Sequence, residues 1–280
     1  VTTHTKPADL GAPRKEDEDV LLVSRPEPGI ALLTLNAPRS RNSLSRQMIA
    51  ALDEALARLS GDRDVAAVVL AAAGPVFSAG HDLKELSAHR TDADGGRAFY
   101  QETMLACAAL MQAIVRNRQP VIAAVQGVAT AAGCQLVATC DLAVAAASAT
   151  FATPGVNIGL FCSTPMVALS RNISRKRAME MLLLGEMLAA EDAMSYGLVN
   201  RVVPADRVMD EALAMARIIA AKSKLTVAVG KEAFYRQIEE PLADAYAYAA
   251  SVMVENMMAE DAAEGIGAFL EKRPPVWKGC

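Results

Sequence analysis

Residues 121–147, VIAAVQGVATAAGCQLVATCDLAVAAA, limit what the chain can fold into more than any other stretch. A short apolar run, Val121 to Val125, lies between Pro120 and Gly127, and a second, Leu142 to Ala147, closes the segment. Apolar runs of this length bounded by turn residues read as strands buried on both faces. Between them stand Gly127, Ala129, Ala131, Ala132 and Gly133, followed by Cys134, Gln135 and Leu136. A helix that begins at once after such a strand leaves its first N–H groups without intrahelical acceptors. Small residues let a ligand approach those groups, and the helix dipole favours negative charge there. A developing oxyanion suits the place. A buried strand–turn–helix packed on small residues suits the same sequence, and this stretch alone does not separate the two.

Composition removes several function classes. With 280 residues, 52% hydrophobic and 21% charged, the chain can build one large α/β domain or two small ones. Twenty-eight Lys and Arg against 32 Asp and Glu give a net charge of -4, the wrong sign for nucleic acid or an anionic membrane. No lysine-rich helix suggests RNA binding. No G-x-G-x-x-G spacing follows residue 127 to hold a dinucleotide, and no G-x-S-x-G elbow presents a serine nucleophile. The five cysteines form no C-x-x-C pair and share no ligand spacing with the three histidines. They read as reduced core thiols, predicting a cytoplasmic protein with no metal. The polar N-terminus lacks a signal-peptide pattern, and charged or polar residues interrupt every apolar run before membrane length.

Taken in order, residues 1–19 are polar and aperiodic and predict a flexible tail. Residues 20–24 and 30–35 predict paired strands around Pro26, Pro28 and Gly29, and residues 65–72 a third strand. A polar turn, residues 36–45, hands over to a helix with Met48, Ile49, Leu52, Leu56 and Leu59 on one face. After Gly80 a short helix is expected, then a mobile polar loop over 87–96, then a helix over 97–115 burying Leu105, Ala108, Met111 and Val115. Residues 151–160 read as extended, Thr164-Pro165 and Ser174 as helix starts, and everything from Ala205 onward as helical. No internal sequence repeat is visible. The expected division is a tail over 1–19, a core over 20–204 and a helical region over 205–280.

Three blocks carry a resemblance: Ser78-Ala79-Gly80-His81-Asp82-Leu83; Ala132-Gly133-Cys134-Gln135-Leu136 with Cys140-Asp141-Leu142-Ala143; and residues 151–160, FATPGVNIGL. Together they resemble the crotonase (enoyl-CoA hydratase/isomerase) superfamily, and Phe269-Leu270-Glu271-Lys272-Arg273 looks like its closing motif. Residues 129–136 and 159–165 look most like its mitochondrial enoyl-CoA hydratase domain-containing protein 3 subgroup and bacterial relatives. The resemblance implies an α/β fold, a spiral of ββα units with a C-terminal helical region that drives assembly into a homotrimer or a dimer of trimers. It implies an acyl-CoA thioester as ligand, with no cofactor beyond the CoA moiety. It implies an oxyanion hole of two backbone N–H groups, at His81 and Ala132. It also implies a CoA path past Arg41, Ser43, Leu44, Ala79, Asp82, Leu83, Gly133 and Pro154, with Phe269 and Lys272 closing it.

This sequence departs from the family pattern at its two acids. The positions where family hydratases carry glutamates hold Gln135 and Gly155. Glutamine exchanges no proton near neutral pH, and glycine offers no side chain. A positioned acid or base contributes roughly 10²–10⁴ in rate, whereas one oxyanion-hole donor is worth about 10²–10³. The expected activity is therefore enolate stabilisation without the usual proton shuttle, with a non-catalytic acyl-CoA-binding protein as the alternative. Glu102 is the one substitute carboxylate the sequence offers; a solvated helix face explains it as well. Cys162 or Ser163 is either a nucleophile or packing and capping. Asp82 and Asp141 each follow a tight turn and are expected to bond nearby N–H groups.

Overall fold

The computed structural model describes residues 19–280; the expected tail lies outside them, apart from Asp19. A hairpin opens the fold, with β1 (Leu21–Glu27) antiparallel to β2 (Ile30–Leu35). Helix α1 (Arg46–Ser60) follows, its first turn held by the Ser45 hydroxyl, which accepts from the Met48 amide at 3.2 Å. Met48, Ile49, Leu52, Leu56 and Leu59 are buried, the stripe that a 3.6-residue period demands.

From here the chain repeats one manoeuvre. A long strand enters a large sheet, a three-residue strand crosses into a small sheet, and a helix returns. The first turn comprises β3 (Ala67–Ala72), β4 (Val76–Ser78), α2 (Leu83–Ala88) and α3 (Arg97–Arg116). The second comprises β5 (Val121–Val125), β6 (Val128–Thr130) and α4 (Ala132–Thr139), and the third β7 (Leu142–Ala146) and β8 (Thr150–Ala152), leading to α5 (Pro165–Asn172). Then come α6 (Arg175–Leu184), β9 (Leu188–Ala189), α7 (Ala190–Tyr196) and β10 (Arg201–Val203). Among the described residues the large sheet runs β1-β2-β3-β5-β7-β10, parallel after the first pair. The small one runs β4-β6-β8-β9, parallel across its first three strands. The spiral of ββα units is thus a structural repeat that leaves no sequence repeat, because each turn asks only for short apolar runs.

Helix α8 (Val208–Ala220) packs across β3, β5 and β7 and belongs with the sheet, although it lies in the predicted helical region. Beyond it, α9 (Lys224–Gln237), α10 (Leu242–Met258) and α11 (Glu260–Glu271) form a separate helical layer. One buried ion pair ties that layer to the core. Lys231 donates to Asp141 at 2.7 Å and to the carbonyls of Ile114 and Gln119, and the Tyr235 hydroxyl donates to the same carboxylate at 3.0 Å.

Several expectations fail here for local reasons. Helix α3 buries Thr103, Cys107, Leu110, Met111 and Ile114, while Leu105 is 61% exposed. The helix is apolar on more than one side, so periodicity did not select the packed one. By length and composition alone α3 could cross a membrane, contrary to expectation; it instead packs against α1 and α4. Residues 87–96 are not a free loop: His89 stacks on Phe99 at 3.6 Å and bonds Asp92 at 2.7 Å, and Tyr100 reaches the Leu86 carbonyl. Residues after Ala152 are not extended but coil into a 3-10 turn, Pro154–Ile158. On α6, Met181 and Leu182 are buried, while Met179 and Leu183 face out.

Candidate active site

The parallel strands β4, β6 and β8 end side by side, and each delivers a loop to the same edge of the small sheet: residues 79–82, 131–135 and 153–155. Ligands collect at the C-terminal edges of parallel strands. The hub of this edge is Ala131, with φ 51° and ψ -120°, a conformation that L side chains rarely adopt. Its N–H donates to the Ala152 carbonyl at 2.9 Å and its carbonyl accepts from the Gln135 amide at 3.0 Å. The sequence places a helix immediately after the β5 strand; in fact β6 intervenes, and the turn at Ala131 starts α4.

Glycines bring the loops into contact. A Cβ placed on Gly80 would lie 3.0 Å from the Ala132 nitrogen and 2.9 Å from the Ala131 Cβ. One on Gly133 would lie 2.3 Å from the Ser78 carbonyl oxygen. Any side chain at either position would force the two loops apart. Among the described residues, neither the His81 nor the Ala132 N–H has a backbone acceptor.

A fourth segment, residues 36–45, is stitched to the turn between β3 and β4 by Asn42, whose sequence context shows only a polar turn. Fully buried at φ 50°, Asn42 donates through Nδ2 to the carbonyls of Ala73 (2.8 Å) and Val76 (2.7 Å) and accepts from the Ala37 amide through Oδ1. The Ala79 amide donates to the Arg41 carbonyl, the Leu44 amide to Gly80, and the Ser43 hydroxyl to Asp82 at 3.3 Å. Arg41 is itself left-handed at φ 57° and its side chain is exposed. Asp82 caps α2, accepting from the Lys84 and Glu85 amides, as its turn position predicts. Asp141 differs: its carboxylate accepts from the Val121 amide, Lys231 and Tyr235, so it is a strut between β5 and α9 and no local cap.

The positions of the missing acids are informative in opposite ways. Gln135 is 4% exposed, and its Oε1 is buried without a partner among the described residues. Gly155 is enclosed: a Cβ there would lie 2.8 Å from the Leu160 carbonyl oxygen and 2.9 Å from the Cys162 sulfur. The surroundings leave no room for a side chain at this position. Burial raises the Cys162 thiol and pushes that of Cys134 up to about 12, so neither is a thiolate near neutral pH. Ser163 is exposed, and its hydroxyl donates to the Phe161 carbonyl at 3.3 Å.

His81 is half-buried, and its Nδ1 lies 3.3 Å from the Leu44 carbonyl, which can only accept; the ring proton therefore sits on Nδ1. Burial lowers its pKa, outweighing that bond and the charge of Glu85, so the ring is neutral near pH 7. Glu102 lies on α3, 66% exposed and paired with Arg46 at 3.0 Å, on the solvent side of the helix. Leu83 is exposed at the start of α2, and Ala79 and Pro154 are half-buried at the edge. Phe269, 82% exposed, and Lys272, at the left-handed end of α11, are not brought to this edge within one chain; α11 rests on α9 and α10.

The profile of the enoyl-CoA hydratase/isomerase family matches residues 25–280. The chain belongs to that family. It is 44% identical over 271 residues to the mouse mitochondrial enoyl-CoA hydratase domain-containing protein 3, covering 97% of this chain and 89% of the relative. The human counterpart is 45% identical over 267 residues, covering 95% and 86%. The crystal structure of an enoyl-CoA hydratase from Mycobacterium smegmatis superposes with a TM-score of 0.88 at 54% identity, covering 93% of this chain and 99% of that one. That of the human domain-containing protein 3 gives 0.87 at 44%, covering 92% and 100%. The subgroup expected from residues 129–136 and 159–165 is the one these relatives carry. The cytoplasmic location is not: mouse, rat, human, frog and zebrafish relatives are all named mitochondrial. Reduced cysteines report a redox state and not an address.

Proposed function

We propose that the chain binds an acyl-CoA thioester at the edge shared by β4, β6 and β8, with the His81 and Ala132 N–H groups holding the thioester oxygen. The observation that carries this reading is the close approach of the Gly80 loop to Ala132, too tight for a Cβ on Gly80, which brings two acceptor-free N–H groups to adjoining turns. Donors held in place before the reaction stabilise a developing enolate without reorganising. The His81 side chain is not needed for this, because only its main chain donates. Arg41, Ser43, Leu44, Ala79, Asp82, Leu83, Gly133 and Pro154 frame the CoA path. Phe269 and Lys272 close it from a second copy, in a homotrimer or a dimer of trimers; the exposed Tyr246, Met253, Val254, Met257, Phe269 and Leu270 supply an apolar face for that assembly. The CoA moiety is the only cofactor chemistry required.

The chemistry is an enolate step other than ordinary hydration. Gln135 cannot shuttle a proton, and Gly155 has no room for a side chain that could. The enclosed Gly155 equally favours a second reading, an acyl-CoA-binding protein without turnover. Titration calorimetry with a panel of acyl-CoAs, run beside a crotonyl-CoA hydration assay, tests both. Binding with negligible hydration is expected. Brisk hydration would overturn the claim about the missing acids, and no affinity for any CoA thioester would overturn the site. Binding without turnover of any panel member would select the second reading.

A further inference from the structure

A cavity of about 580 Å³ lies between the turn after α1, the joint of α8 and α9 and the strap of residues 277–280. Val65, Ala66 and Gln119 set it beside the N-terminal ends of β3 and β5, whereas the acyl-CoA edge lies at the C-terminal ends of β4, β6 and β8. The two places share no residue. We infer that this cavity is a second ligand site, and that it takes a polyphosphate group, free or carried by a nucleotide.

Charge selects the ligand class. The chain carries a net charge of -4, yet Arg63, Arg118, Lys222, Lys224 and Lys278 all line this cavity, against the one side-chain carboxylate of Asp62. Arg25 neutralises Asp62, and Lys278 pairs with Glu260 at 3.1 Å. Among the described residues, Arg63, Arg118, Lys222 and Lys224 have no carboxylate partner. Four uncompensated cations around one concave space repel each other, and an anion of several charges relieves that repulsion. The wall is built to hold them. Lys224 Nζ donates to the Arg63 carbonyl at 2.8 Å and the Asp64 carbonyl at 3.4 Å, leaving one of its three N–H groups for a ligand. Gln119, 5% exposed, fixes the turn that carries Arg63 by donating to the carbonyls of Leu59, Asp62 and Val65. The first turn of α9 opens on the same space through Lys224 and Leu225, so the positive end of its dipole adds to the field. Trp277, anchored by donation to the Ala221 carbonyl at 2.9 Å, supplies an aromatic surface on which a base can stack. The volume falls within the roughly 300–1,000 Å³ of small-molecule sites, which suits a nucleotide and leaves no room for a nucleic-acid strand.

Two residues of the cavity report occupancy. Trp277 is the only tryptophan, and Cys280 is the exposed thiol beside four buried ones. Inorganic tripolyphosphate and ATP, titrated near neutral pH at low salt with and without butyryl-CoA, are expected to shift tryptophan emission and to slow alkylation of Cys280 by iodoacetamide. The affinity is expected to fall about tenfold or more in the double variant Arg118→Glu, Lys222→Glu, and by less in Arg118→Gln, Lys222→Gln. All four are changes at exposed side chains, with circular dichroism checking the fold. Binding of both ligands supports the site with the phosphates as its whole recognition, and binding of ATP alone supports it with the base on Trp277. Failure of both to bind, or an affinity unchanged in the two double variants, would overturn the assignment. Loss of binding on addition of butyryl-CoA would overturn it too, because the phosphates would then lie in the CoA path.

Discussion

At Ala131 a methyl group sits on a backbone that favours none. A non-glycine residue in such a region costs of the order of 1–3 kcal/mol, and functional turns are where that cost is tolerated. Glycine relieves the strain but adds about 0.5–1 kcal/mol of unfolded-state freedom. Ala131→Gly is thus expected to leave stability unchanged or raise it by about 1 kcal/mol, while Ala131→Val lowers it by more than about 2 kcal/mol; urea denaturation measures both. Gly155 makes the opposite case. Since a Cβ there meets the Leu160 carbonyl oxygen and Cys162 at under 3 Å, Gly155→Ala is expected to cost about 1–3 kcal/mol. Restoring both family glutamates, Gln135→Glu with Gly155→Glu, is expected to yield no hydratase, because the second carboxylate has no place to stand. Appreciable crotonyl-CoA hydration by that double variant would contradict the closed backbone.

At the scale of elements, the strut from β5 to α9 governs how firmly the helical layer is attached. Side-chain exposures of 6% for Lys231 and 14% for Asp141 make this a buried pair, in which removing one partner strands the other. Lys231→Met is expected to cost about 3–5 kcal/mol in chemical denaturation, more than any exposed pair on the surface. The end of the chain has its own acid-sensitive latch. Arg273 donates to Glu264 at 2.6 and 2.9 Å, and the Val276 amide donates at 2.8 Å, holding the Glu264 carboxyl at about 2 against an ordinary 4.5. A carboxyl lowered in the docked state stabilises docking fully above its ordinary pKa. That contribution falls away as pH drops from 4.5 toward 2. Trp277, the only tryptophan, donates to the Ala221 carbonyl and packs on Gly265, so its fluorescence reports the docking. Emission is expected to stay constant down to about pH 5 and to shift over that acid range, and Glu264→Gln is expected to reduce the pH dependence, leaving the share carried by Asp261, whose carboxylate accepts from the Lys278 and Gly279 amides.

For the molecule as a whole, much of the architecture was legible because it rests on local signals. Short apolar runs marked β3, β5 and β7, and the periodic stripe after the polar turn at residues 36–45 marked α1. What was not legible depends on neighbours distant in sequence. The three-residue strands β4, β6 and β8 are too short to show alternation and exist only because they pair with each other. Asn42 works through carbonyls more than thirty residues away, and Asp141 through a helix ninety residues on. The candidate site was visible as motif blocks, whereas its crowding at Gly155 and its unpartnered polar atoms needed coordinates. Phe269 and Lys272 fit the site only if a second copy brings them there, so sedimentation should give three or six times the 29.5 kDa chain. A monomer at micromolar concentration would remove both residues from the CoA path.

The central claim is that two main-chain N–H groups polarise a thioester carbonyl at the Ala131 turn. Isotope-edited infrared spectroscopy of bound butyryl-CoA carrying a ¹³C carbonyl tests it most directly. The carbonyl stretch is expected to move to lower frequency on binding, as two new hydrogen bonds weaken the C=O bond. A ligand that binds with its carbonyl frequency unchanged from that in water would contradict the account.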